Sequence, residues 1–154
     1  MATVYSDVMT DLTQDSPSEF TTTSNLGGRV RIAFATYEAS SLASGDVINM
    51  FRLPNKARIV NGALSHDALG SSTTLSVGYA AHTDADGTAV SAAAAAYKAA
   101  AASTSAAKAE IAATIALGHG SVLNANEDGV TVTATMGGAA GTGTINVMMM
   151  YVVD

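Results

Sequence analysis

Residues 129–153 read GVTVTATMGGAAGTGTINVMMMYVV. In the first half Val130, Val132, Ala134 and Met136 alternate with Thr131, Thr133 and Thr135, the two-residue period of a strand with one apolar and one polar face. The second half differs. Ile145, Val147, Met149, Tyr151 and Val153 share one face and Met148, Met150 and Val152 the other, so both faces are apolar. An antiparallel sheet normally leaves one side wet, and apolar area left in water forgoes about 25 cal/mol per Å². The outer face of this last strand therefore needs a cover: an arm, the alanine-rich middle of the chain, or another subunit. The glycine-rich stretch 137–143 lacks both the G-x-G-x-x-G order and the Lys-Ser/Thr ending of a phosphate loop, and reads as a flexible hairpin loop.

Further strands precede these two. In RVRIAFATY, Val30, Ile32 and Phe34 share one side and Arg29, Arg31 and Ala33 the other, the period of a half-buried strand. DVINMFRL and ARIVNGAL flank Pro54-Asn55, which reads as a hairpin or corner. After Gly70-Ser71-Ser72, Leu75, Val77 and Tyr79 alternate with small or polar residues, a fourth strand. Ile111, Ala113 and Ile115 alternate with Glu110, Ala112 and Thr114 before Gly118-His119-Gly120, consistent with a fifth strand or with a continued helix. The stretch 88–102 is mostly alanine, with Ser91 able to cap and only Tyr97 able to anchor, so local propensity favours a short helix there. Residues 1–28 lack periodicity and end in Asn25-Leu26-Gly27-Gly28, an extended arm followed by a turn. The expected fold is all-β: one antiparallel jelly-roll-like sandwich over 29–154, an extended arm over 1–28, and an alanine-rich helical or loop insertion at 88–108.

Composition agrees. With 154 residues the chain is one domain's worth. Apolar residues make up 48% and charged residues 13%, too apolar for a disordered polymer. There is no cysteine, so neither disulfides nor thiolate metal sites can form. Seven basic against 13 acidic residues give a net charge of −6, which repels a phosphate backbone. Five of the basic residues, Arg29, Arg31, Arg52, Lys56 and Arg58, gather between 29 and 58 but without aromatic interleaving, so nucleic acid is not an expected partner. The first twenty residues carry acids where a secretory signal carries bases, and no uninterrupted apolar window reaches membrane-spanning length. A soluble protein without secretory signal or membrane partner is expected.

No catalytic constellation emerges. His66, His82 and His119 are too scattered for a metal motif from one element. Ser65-His66-Asp67 has the letters of a hydrolase triad, but neighbours on an extended chain point to opposite faces. The loops at His82, Asp84 and Asp86 and at Asn124, Asn126 and Asp128 resemble the opening of a calcium loop yet lack its closing glutamate, and Asp-Gly between strands is an ordinary turn signal. No cofactor, metal or catalytic residue is expected.

The stretch 45–79 adds a further pointer. Gly45-Asp46-Val47-Ile48, Arg52-Leu53-Pro54, the run from Ala57 to Val60, Asp67 to Gly70, and Leu75 to Tyr79, continued by DGVTVTATMGG and MMMYVVD, resemble the decoration or cement proteins of tailed bacteriophage heads. The resemblance covers residues 39–79 and 128–154. It implies a β-sandwich that performs no chemistry and binds the assembled shell of a major capsid protein on the virion's outer surface. It also implies self-association, a trimer being one form. The residues read as the candidate interface are Met148, Met150, Val152, Arg29, Arg31 and Arg52. The competing readings are a carbohydrate-binding sandwich using the acidic loops, and a structural protein of the neck or tail.

Overall fold

The computed structural model describes residues 4–13, 22 and 25–153. The alternating runs form strands: β1 (Val30–Leu42), β2 (Val47–Leu53), β3 (Ala57–His66) and β4 (Thr73–Tyr79), with β9 (Val130–Gly138) and β10 (Gly141–Val153) closing the chain. Between them lie a short ribbon of β5 (His82–Thr83) and β6 (Ala89–Val90), then β7 (Ala93–Ala102) and β8 (Ala107–Ile111). One four-stranded sheet has the order β1-β10-β3-β8 and the other β2-β9-β4-β7.

The pairings β4 with β7, β3 with β8, β2 with β9 and β1 with β10 are all antiparallel and nested. The chain thus doubles back on itself at the β5–β6 ribbon, and the long ribbon so formed is wound across two layers. That is the jelly-roll topology. The layers bury Leu53, Ile59, Leu64, Val77, Val132 and Met149 between them, drawn from both sheets, as a sandwich core requires.

Several expectations need correction. The alanine-rich segment is a strand, not a helix or loop. Alanine's helix preference amounts to a few tenths of a kcal/mol per residue and is overridden by tertiary pairing. Here the pairing demands small residues: Val77 faces Lys98 and Tyr79 faces Ala93, so two steps along β4 span five along β7. β7 bulges tightly over Gly78, where an added Cβ would overlap the Ala93 carbonyl. Tyr97 emerges from that bulge into the core, only 3% exposed.

The fifth strand lies earlier than its alternation suggests. β8 ends at Ile111, and Ile115 stands exposed in a 3-10 turn (Ile115–Leu117) capped by Gly118 in the left-handed conformation. Neither the β2–β3 nor the β9–β10 connection is a hairpin, because β2 and β3 belong to different sheets, as do β9 and β10. The β2–β3 connection is therefore the corner of the two alternatives. The β9–β10 arch is a tight two-residue crossing rather than a flexible loop: Gly138 takes a positive φ of 76° against the Ser72 carbonyl.

In the arm, residues 4–13 are not extended throughout, for a helix, α1 (Asp7–Thr13), forms there. The turn at 25–27 is present. The remainder of the arm, residues 1–3, 14–21 and 23–24, lies outside the described residues. Among the described residues no helix is long and apolar enough to cross a membrane.

Candidate functional site

β10 carries the alternation its sequence suggests. Ile145, Val147 and Met149 are fully buried in the core, while Asn146, Met148 and Met150 face outward and are half-buried. The neighbour on one side is β1, in a register that sets Ile32 opposite Met150 and Phe34 opposite Met148. Directly opposed residues in an antiparallel pair lie on the same face. Ile32 and Phe34 are therefore on the outer face, 62% and 61% exposed, and Val30 is exposed beside them.

This inverts the simplest reading of β1, whose bulky apolar side would turn inward. The small side faces the core instead, because Ala33, Ala35 and Ala39 oppose Met149, Val147 and Gly143. On the other flank of β10, Ala63 opposes Met148 and Asn61 opposes Met150, and β8 adds Lys108 and Glu110 beyond them. Two shallow cavities of about 170 and 180 Å³ share Ala63, Lys108 and Met148. They form a groove with Phe34 at one wall and Lys108 at the other. Asn146 lines it, its Oδ1 buried without a hydrogen-bond partner among the described residues.

The six residues read from the sequence as interface separate in space. Met148 and Met150 lie on this face. Arg29 and Arg31 stand exposed at the start of β1. Val152 points the same way as the methionines but is only 5% exposed, opposite Arg58. Arg52 belongs to the second sheet, where it lies 3.9 Å from Asp128. Ile32 and Phe34 were the missing members. Their face follows from the β1–β10 register, which local periodicity does not contain.

The two acidic loops do meet, at one end of the sandwich. Asn126 N–H donates to the Thr83 carbonyl, and Ala85 N–H reaches Asn124 Oδ1 at 3.4 Å. One side-chain oxygen in each loop closes a turn. Asp84 Oδ1 accepts from the N–H groups of Asp86 and Thr88, and Asn126 Oδ1 from that of Asp128. Among the described residues no three His, Asp or Glu side chains are grouped as a metal site requires. Ser65-His66-Asp67 has structural roles: His66 Nδ1 meets the Asp67 carbonyl at 2.8 Å, and Asp67 Oδ2 accepts from Thr144 N–H at 3.1 Å. That backbone bond holds the Asp67 carboxyl below its usual range.

Next to the loops is a cavity of about 260 Å³ bordered by Tyr79, His82, Asp84, Tyr97 and Asn124. The ring of Tyr79 meets His82 edge-on at 5.4 Å and Tyr97 at 5.9 Å. The Tyr97 hydroxyl is buried without a partner among the described residues. Burial, and to a smaller extent Tyr79, raises the Tyr97 phenol well above its ordinary value of 10.0. Above about pH 10 the unfolded chain's phenol ionises and the folded one's does not. The stability this group contributes is thus complete below pH 10 and is lost progressively above it. Tyr97→Phe is expected to raise stability by about 1 kcal/mol at neutral pH, by removing an unsatisfied buried hydroxyl, and to flatten the alkaline loss. Urea midpoints at pH 7 and 10.5 check both.

No known family's sequence pattern matches the chain, and no curated protein is similar to it in sequence. Its structure is similar to solved ones. A chain of the cyanophage Pam1 capsid asymmetric unit superposes with a TM-score of 0.59 at 20% identity, covering 100% of both chains. A chain of the Ralstonia phage GP4 capsid gives 0.62 at 24% identity, covering 82% of this chain and 86% of that one. A chain of the acidic stable capsid structure of Helicobacter pylori bacteriophage KHP30 gives 0.53 at 16%, covering 80% and 87%. At these identities what is shared is the fold, so chains in three bacteriophage capsid structures have the β-sandwich architecture that the nested pairing of β1 to β10 builds here.

Proposed function

We propose that this chain is a non-enzymatic virion structural protein that binds the assembled shell of a bacteriophage head and stabilises it. The observation that carries the reading is the outer face of the β1/β10 sheet. Exposed Ile32 and Phe34 beside half-buried Met148 and Met150 make an apolar strip that a lone soluble chain has reason to cover. The fold shared with chains of three phage capsids supports a place in such a lattice. The net charge of −6 suits the outer surface of a head better than its DNA-facing lumen. The partners are the major capsid protein and further copies of this chain. Attachment to the assembled state alone shifts the equilibrium towards assembly by mass action, and several linked copies strengthen it through effective concentration.

Adding purified protein to head shells that lack it tests the reading. Saturable binding and a higher temperature of shell rupture are expected; shells that neither bind it nor gain heat resistance overturn the proposal. A carbohydrate-binding function has one observation in its favour, the cavity in which Tyr79 and Tyr97 rings adjoin Asp84 and Asn124, and a glycan array separates the two readings.

A further inference from the structure

The sheet that carries the apolar strip has β1 at one edge and β8 at the other. The edge of β8 is regular. Its pairing with β3 runs from Ala107 opposite His66 to Ile111 opposite Gly62 without a shift, whereas β2 and β7, the edges of the other sheet, are each interrupted by shifts of register. An edge strand presents a row of unpaired N–H and C=O groups. Asp67 N–H, one residue past the end of β3, donates to the Thr144 carbonyl on the β10 side. By the alternation of an antiparallel ladder, the backbone groups of His66 and Leu64 then turn toward β8. They meet Ala107 and Ala109, so the N–H and C=O groups of Lys108 and Glu110 point outward from the sheet.

The side chains of the same two residues carry the charge of this edge. Lys108 and Glu110 are exposed, border one groove with Ala63 and Met148 on the outer face, and form no ion pair among the described residues. They flank Ala109 symmetrically. When a second β8 lies antiparallel to the first with Ala109 facing its own copy, Lys108 stands opposite Glu110 at both ends of the contact. Directly opposed residues share a face, where opposite charges attract and like charges repel. A lysine on an edge strand ordinarily wards off other strands; with a glutamate two residues on, the edge becomes selective for its own copy. The edge of β1 lacks this symmetry. Its charges, Arg31 and Glu38, lie on opposite faces of the strand, so no two-fold pairing sets one against the other.

We propose that β8 pairs antiparallel with β8 of a second copy about a two-fold axis at Ala109, joining the two sheets into one of eight strands. The inference rests on the reading of the chain as an assembling head protein and states how its copies join. The contact is isologous. It is also small, one short strand a side against the roughly 20–30 residues of a standard interface. Pairing therefore depends on concentration when the chain is free, and it strengthens where a shell holds neighbouring copies side by side. The joined sheet sets the two strips of Ile32 and Phe34 seven inter-strand spacings apart, about 34 Å, so a pair attaches at two points where a single chain attaches at one.

Sedimentation equilibrium of the full-length chain over a concentration series tests this. The parent is expected to pass from 15.4 kDa to twice that mass. Lys108→Glu and Glu110→Lys each set like charges opposite one another at both ends of the contact, and each should weaken pairing about tenfold or more. Mixed in equal amounts, these two variants place an all-basic edge against an all-acidic one and should pair at least as well as the parent. Lys108→Glu/Glu110→Lys keeps the symmetry with the signs exchanged and should pair like the parent. Both positions are exposed, so melting curves should stay close to the parent's. A parent that keeps the single-chain mass throughout, single variants that pair as tightly as the parent, or a mixture that does not pair overturns the proposal. Ile32→Asp/Phe34→Asp, at the far edge of the sheet, should still pair while losing shell protection. A parent that protects shells but never pairs rejects the edge contact and leaves the shell reading standing; one that pairs through β8 and ignores shells does the reverse.

Discussion

Gly78→Ala is expected to lower stability by about 3 kcal/mol or more, a large part of what a domain of this size possesses. The reason is room, not conformation. Gly78 lies in β4 at the point where β7 bulges, and an added Cβ would overlap the backbone of Ala93 and Ala94. A flexible side chain could move aside, but these are carbonyl groups held in the sheet. Making room means separating β4 from β7, which also withdraws Tyr97 from the core. Gly87→Ala is the control: its φ of 86° is strained for alanine, yet nothing lies within 4 Å. It should cost only the left-handed penalty of about 1–2 kcal/mol. Urea unfolding of the two variants separates steric from conformational cost; equal midpoints would show that β7 does not press on Gly78.

The same contact explains what was legible in the sequence. β4, β9 and β10 announce themselves because their own residues carry the signal, large apolar side chains recurring at even spacings: Leu75 with Val77, Val132 with Met136, Ile145 with Met149. β7 has no such signal. Alanine repeated across Ala92 to Ala96 has no apolar period to read, and its extended state is imposed by a partner some twenty residues earlier. The face of β1 was illegible for a related reason. Periodicity separates Ile32 and Phe34 from Ala33 and Ala35, but only the register with β10 says that the alanines, opposite Met149 and Val147, have the space on the core side. In both cases size complementarity across a pairing outweighs the hydrophobicity of the strand itself. The candidate interface was therefore half visible: the outward methionines of β10 could be read locally, whereas Ile32 and Phe34, the residues that expose most of it, could not.

Ile32→Asp/Phe34→Asp is the change expected to separate function from folding most sharply. Both side chains are more than half exposed, so the variant should melt close to the parent, within about 0.5 kcal/mol per site. An assembly that covers this face must nevertheless bury two carboxylates against apolar groups, at an effective penalty of several kcal/mol per ion when no partner is supplied. With each 1.4 kcal/mol worth a factor of ten, attachment should weaken by about a thousandfold or more, and shells mixed with the variant should rupture at the temperature of bare shells. Extra negative charge on an already acidic chain could repel a shell by itself, so the control must carry the same charge elsewhere. Val47→Asp/Ile115→Asp does so at two exposed apolar positions outside the β1/β10 face. It should protect shells nearly as well as the parent. If it fails as completely as the Ile32/Phe34 variant, net charge rather than this sheet face governs attachment, and the outer side of β1 and β10 is not the surface by which the protein is held.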